Sequence, residues 1–155
     1  MKVVNLYSDE WDDDSAWPKP EQYEKKWRGL GSKLGAGKMG GSLYELPPGA
    51  KTFPYHWHHG TEELLIVLDG RPTLRTSDGE RELERGDVVS FPTGPEGAHQ
   101  VWNATEEPSR IAILSTIVEY EIVHYPDSDK VGMRAEDFRL VVRPDAGLDY
   151  WEGES

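Results

Sequence analysis

The 155-residue chain has no cysteine and only five histidines. The missing thiols exclude disulfides, zinc–thiolate and iron–sulfur sites and a cysteine nucleophile, and they leave the redox compartment undetermined. No stretch approaches the roughly 18 consecutive apolar residues that a membrane-crossing helix needs. The opening Met1-Lys2-Val3-Val4-Asn5 lacks the apolar core of a secretion signal. A cytoplasmic protein built on one domain is therefore expected. Helical periodicity is also scarce, with a weak trace over 19–27, and there is no internal repeat.

Basic residues are few, 17 against 29 acids, for a net charge of −12. Such a field disfavours nucleic acid and anionic lipid, both of which are bound through Lys/Arg patches. The excess is terminal: residues 1–24 carry a net −5 and residues 144–155 a net −4, leaving −3 for the 119 residues between them. This division predicts an acidic N-terminal arm over 1–24, a folded body over 25–143 and an acidic tail over 144–155. The arm reads either as a solvated tail or as a docking segment, since Trp11, Trp17, Tyr23 and Trp27 are unusual in a disordered stretch.

Between the two ends lie short apolar runs, punctuated every eight to twelve residues by Gly, Pro, Asp or Asn. That spacing predicts an all-β sandwich or barrel. Strands are expected near 26–34, 41–46, 52–58, 63–69, 72–77, 80–84, 87–91, 98–103, 109–117, 119–125 and 138–143, with Asp78-Gly79 as a hairpin turn. The runs Glu63–Asp69 and Ile111–Val118 are apolar on both faces, whereas a strand with one wet face should alternate. Their outer faces must therefore be covered. A homodimer with sheets packed back to back is the first expectation, and coverage by the chain's own N-terminal arm is the alternative.

Three of the five histidines fall in Tyr55-His56-Trp57-His58-His59. On a strand, His56 and His58 project to one face with Cα atoms about 6.5–7 Å apart, as two imidazoles sharing an ion require. Phe53, Tyr55 and Trp57 would take the other face. Glu63 can re-enter after a turn, with Glu62 competing for the carboxylate role, and His99 comes from a distant strand. Imidazoles with a carboxylate suit iron, manganese, cobalt, nickel, copper or zinc rather than calcium or magnesium. His59 points away from His56 and His58 and reads as a surface or interface residue, while the isolated His124 reads as surface or structural.

The surrounding pattern resembles the cupin superfamily, in its small single-domain metal-binding type. The motif G-x5-H-x-H-x(3,4)-E-x6-G is matched by Gly49, His56, His58, Glu63 and Gly70, with one extra residue before His56. The motif G-x5-P-x-G-x2-H-x3-N is matched by Gly86, Pro92, Gly94, His99 and Asn103, with two extra residues before His99. The resemblance implies a double-stranded β-helix, a jelly-roll-like barrel. It also implies one divalent transition-metal ion per chain, held by His56, His58, Glu63 and His99, and a small-molecule ligand or substrate.

Cupins include dioxygenases, isomerases, decarboxylases and non-catalytic binders. The fold alone cannot choose among them. The leading expectation is a metal-dependent enzyme acting on a small metabolite, with dioxygenase-like or other metal-centred chemistry. The alternatives are a binding or sensor module whose metal orients a ligand, and a barrel whose metal serves stability alone. No residue stands out as a free general acid or base. Tyr44, Gln100 and Glu96 are candidates only through their nearness in sequence to the rim.

Overall fold

A computed structural model describes residues 1–13, 15–16 and 18–154. Its strands are β1 (Lys26–Gly29), β2 (Met39–Leu46), β3 (Trp57–His58), β4 (Glu63–Asp69), β5 (Thr73–Thr76), β6 (Gly79–Glu82), β7 (Val88–Phe91), β8 (Gln100–Trp102), β9 (Ser109–Thr116), β10 (Glu121–Tyr125), β11 (Lys130–Ala135) and β12 (Phe138–Val142). All named pairings are antiparallel. They form a five-stranded sheet β1-β2-β9-β4-β7, a four-stranded sheet β12-β11-β10-β3 and a three-stranded sheet β6-β5-β8. No helix among the described residues is long and apolar enough to cross a membrane.

The doubly apolar strands divide their side chains between two cores. Leu65 and Val67 of β4, Ile111 and Ile113 of β9, and Tyr44 and Leu46 of β2 join the main core with Phe91 and Val101. Leu43 and Ala112, facing the other way, form a second cluster with Leu30 and Leu68, closed over by Val4, Leu6 and Trp11. The chain's own N-terminal residues thus cover the face for which a second subunit was the first expectation. They are held by polar contacts as well. Asp12 pairs its backbone N–H with the Trp27 carbonyl at 2.8 Å, and its carboxylate accepts from the Gly29 N–H at 2.9 Å. The buried Arg28 guanidinium donates to Glu10 at 2.5 Å and also to Ser8. A purely solvated arm is excluded for these residues. Trp17, which was grouped with the docking aromatics, lies outside the described residues.

Other differences from the sequence reading are local. The strand expected over 26–34 stops at Gly29, and Gly31–Leu34 forms one helical turn closed by Gly35 at φ 74°. The periodic trace over 19–27 resolves into a 3-10 turn at Glu21–Tyr23 followed by β1. Strand β11 was not anticipated, although Val131, Met133 and Ala135 alternate there with Lys130, Gly132 and Arg134. The segment 52–58 is regular strand only at Trp57–His58. Before that it bends, so Phe53 lies edge-on to His56, with ring centroids 6.1 Å apart, rather than on the opposite face.

Candidate metal centre

Backbone pairing brings the two histidine-bearing segments together. His56 and His99 exchange both N–H···O bonds, at 3.1 and 2.9 Å. This is the hydrogen-bonded type of antiparallel pair, which sends both side chains to the same side. His58 lies on β3, which pairs with β10 through Val123. Glu63 begins β4 between Phe91 of β7 and Ser115 of β9. Two loops meet beneath the site, where the Gly94 N–H donates to the His58 carbonyl at 2.8 Å. Gly97 is required in the second loop because a Cβ there would fall 1.8 Å from the Pro92 carbonyl oxygen. At Gly70, past the end of β4, φ is 78° and a Cβ would meet Ser109 Oγ at 2.6 Å.

His56, His58 and Glu63 each offer a ligand atom within 4.8 Å of the others and are positioned for a metal. His99 adjoins them, with Nε2 at 3.3 Å from Glu63 Oε2 and its ring centroid 4.6 Å from that of His56. His58 Nε2 is 3.5 Å from the same carboxylate oxygen.

The hydrogen bonds decide which nitrogens are available. Nδ1 of His56 contacts the Pro54 carbonyl at 2.8 Å, and Nδ1 of His99 contacts the Gly97 carbonyl at 2.9 Å. A carbonyl only accepts, so both Nδ1 atoms carry the proton and both Nε2 atoms present lone pairs. Both nitrogens of His58 are buried without a hydrogen-bond partner. Such an orphan is costly unless something binds it. Imidazoles fixed from behind by a carbonyl are what metal ligation calls for, so the donor set fits a divalent ion.

Electrostatics agree with that fit. Burial, with help from the neighbouring His99 and His58, pushes the His56 pKa down to about 4, keeping the ring neutral near pH 7. Burial opposes the charge of Glu63, but the adjoining His58 and His99 imidazoles outweigh it and hold the carboxyl well below its usual range. Phe91 stacks flat on His99 at 3.7 Å between centroids, and Tyr125 stacks on His56 at 6.0 Å.

Sequence reasoning missed Glu121. It is buried on β10, where its carboxylate accepts from the N–H groups of Gly60 and Ile122, each at 3.0 Å, and from the Thr61 hydroxyl. One of its oxygens lies 3.7 Å from Nδ1 of His58. It therefore stands behind His58 in the place that carbonyls take behind His56 and His99. Burial works against its charge, yet the bonds from Thr61 and Gly60 keep its pKa below the ordinary carboxylate value. Its only sequence signal was an acid at the head of an apolar run.

The remaining candidates separate clearly. Glu62 is exposed, while Glu63 faces the histidines. Glu96 is exposed on its turn. Tyr44 is buried, and that burial raises its pKa to about 12, partly offset by a hydrogen bond with Ser42 and reinforced by the charge of Glu63. Gln100 is buried and donates to the Phe53 carbonyl at 2.8 Å. His59 and His124 lie outside the cluster, both against Trp57 and 5.0 Å from each other. Asn103 is fully buried and satisfied on every side: its amide donates to Leu46 and Glu107 carbonyls, and its oxygen accepts from Thr105. That is a structural role.

Residues 42–117, which carry the histidine-bearing segments and their supporting strands, match the family profile described as the cupin domain. The chain belongs to the cupin superfamily. Among solved cupins, it is similar to a sugar phosphate isomerase of the superfamily from Silicibacter pomeroyi. The identity is 28%, the TM-score 0.76, and 81% of each chain is covered. It is also similar to a protein from Acidithiobacillus ferrooxidans proposed as a sugar phosphate isomerase, with 27% identity, a TM-score of 0.75 and coverage of 81% of this chain and 80% of that one. Over 102 residues it is 31% identical to quercetin 2,3-dioxygenase of Bacillus subtilis, a match covering 63% of this cupin and 28% of the dioxygenase. The chain spans roughly a quarter to a half of the curated relatives it matches.

Proposed function

We propose that this cupin is a metal-dependent enzyme holding one divalent transition-metal ion between His56, His58, Glu63 and His99 and acting on a small metabolite. The observation that carries the reading is the commitment of both Nδ1 atoms of His56 and His99 to backbone carbonyls, which turns their Nε2 lone pairs toward Glu63. Three neutral imidazoles and one carboxylate suit iron, manganese, cobalt, nickel, copper or zinc. When bound, such an ion supplies Lewis acidity toward a carbonyl or hydroxyl oxygen. The chain's own groups then orient the substrate. Tyr44 remains protonated well above neutral pH, so it donates a hydrogen bond to a ligand oxygen rather than removing a proton. Likeness to a sugar phosphate isomerase over four-fifths of the chain supports turnover of an oxygen-rich substrate.

One observation favours a second reading, a binding module without turnover. Of the polar groups beside the site, Tyr44 holds its proton and Gln100 does not titrate, which leaves proton transfer without an evident base. Reconstitution with each of the six metals, followed by mass spectrometry over a panel of keto, hydroxy and phosphorylated sugars and of flavonols, decides between them. Product lost in His56→Ala supports the enzyme. Metal retention with ligand exchange and no product supports the binder, and a wild type that neither retains nor rebinds an ion overturns both.

We further propose a cytoplasmic homodimer. Its interface is read onto β12, the edge strand of its sheet, where Phe138, Leu140 and Val141 are exposed. Open apolar edges invite pairing with a second copy. Light scattering that gave a monomer at micromolar concentration would remove this reading.

A further inference from the structure

A cavity of about 830 Å³ is lined by the Glu21–Tyr23 turn, by residues of β1 and β2 and by the segment 51–55. That volume is within the range of small-molecule sites. None of His56, His58, Glu63 and His99 belongs to its described lining. The basic groups around it do not set it apart, because they are engaged within the chain. Arg75 is paired with Asp127 at two points, 2.6 and 2.9 Å. Lys25 donates to the Tyr23 carbonyl at 3.2 Å, and its ammonium group lies over the rings of Phe53 and Tyr44.

What sets the cavity apart is its aromatic lining. Tyr23, Trp27, Tyr44, Phe53 and Tyr55 converge on it from four separate stretches of chain. Phe53 is 40% exposed, open for a phenyl ring, and Tyr44 meets it edge-on with centroids 5.8 Å apart. A ring left open among others offers a face that a further ring can cover. The lining also holds one deeply buried amide. Gln100 is 6% exposed, and its side chain makes a single hydrogen bond among the described residues, from Nε2 to the Phe53 carbonyl at 2.8 Å. A carbonyl only accepts, so the amide orientation is fixed and Oε1 is left as an acceptor with no donor. A buried acceptor in that state is costly until a donor reaches it.

We propose that this cavity binds a flat aromatic molecule carrying a hydroxyl group, at a site distinct from the metal centre. The ligand's rings pack against Phe53 and its aromatic neighbours, and its hydroxyl donates to Gln100 Oε1. Aliphatic alcohols offer the same donor without a flat face, and aromatic ethers offer the face without a donor, so the two halves of the recognition can be separated. The site needs no ion, because none of the four metal-centre residues lines it.

Calorimetry on the full chain, metal-loaded and metal-free, tests the assignment with 2-naphthol, 2-methoxynaphthalene and decahydro-2-naphthol. 2-Naphthol should bind both forms of the protein. The saturated alcohol should bind at least about tenfold more weakly, and the methyl ether about tenfold more weakly. Phe53→Ala, a change at an exposed ring, should weaken 2-naphthol binding about three- to tenfold with metal content unchanged. Gln100→Leu should erase the preference for 2-naphthol over its methyl ether while leaving the preference for flat rings. No binding of 2-naphthol, equal binding of the saturated alcohol, or undiminished binding in both variants would overturn the proposal. So would binding confined to the metal-loaded form, which would place the probe at the metal centre. The two readings fail separately: 2-naphthol binding in a wild type that holds no ion keeps the aromatic site and removes the metal, and metal retention without 2-naphthol binding does the reverse.

Discussion

The five histidines divide into two clusters, His56, His58 and His99 in one and His59 and His124 in the other, and the clusters differ in what stands behind the rings. Inside, His56 and His99 are pinned at Nδ1 by carbonyls, and His58 has the Glu121 carboxylate behind it. Outside, His124 stacks on Trp57 at 4.3 Å and nearly parallel, His59 tilts against the same ring at 4.5 Å, and the two imidazoles are 5.0 Å apart. The centroid spacing of the outer pair is close to the 4.9 Å between His56 and His58. Proximity of imidazoles is thus common to both clusters. What separates them is the fixed acceptor behind each inner ring and the carboxylate in front, which together turn a cluster into a ligand set.

The comparison can be broken most forcefully by truncation. His56→Ala or His99→Ala should reduce bound metal from about one ion per chain to a small fraction of that, read by elemental analysis, whereas His59→Ala/His124→Ala should leave occupancy at the wild-type level. Equal losses in both variants would mean that the outer pair binds as well as the inner one. Next comes the acceptor behind His58. Glu121→Gln keeps the size of the side chain and should weaken metal affinity by about 10–100-fold, measured by competition with a chelator.

Acidification of the metal-free protein should separate the clusters more gently. The His56 pKa is depressed to about 4 in the fold against roughly 6.5 when unfolded. As the pH falls through that interval the unfolded chain takes up a proton that the folded chain refuses, so stability is lost, by on the order of 3 kcal/mol at full extent. Urea midpoints between pH 7 and pH 4 should fall steeply in the wild type and less in His56→Asn. A parallel decline in the two would dismiss His56 as the source. The smallest effect is expected outside: Trp57→Leu should cost about 1 kcal/mol through lost stacking, with metal content unchanged, by thermal melting and elemental analysis.

How legible the centre was depended on how its parts are linked. The spacing of His56, His58 and Glu63 is local, so a strand, a turn and a strand make it readable from sequence, and His99 entered through the motif around it. The sequence also exposed the doubly apolar character of β4 and β9. It could not say which surface covers them, because a second copy and the chain's own arm bury apolar area equally well. Glu121 was hidden for a different reason. It reaches His58 only through the pairing of β10 with β3, and no periodicity in either segment specifies that register. Phe53 was placed on the wrong side because a period of two was assumed for a segment that bends before Trp57.

The covering of the second core by Val4, Leu6 and Trp11 has a practical corollary for anyone handling the molecule. Trimming the first dozen residues would bare Leu43, Leu68 and Ala112, and it would strip Arg28 of its Glu10, Ser8 and Asn5 acceptors at the same stroke. An affinity handle, fluorophore or fusion partner is therefore better joined after the exposed Trp151 than before Val4, where it would pull on the flap that keeps the sheet dry.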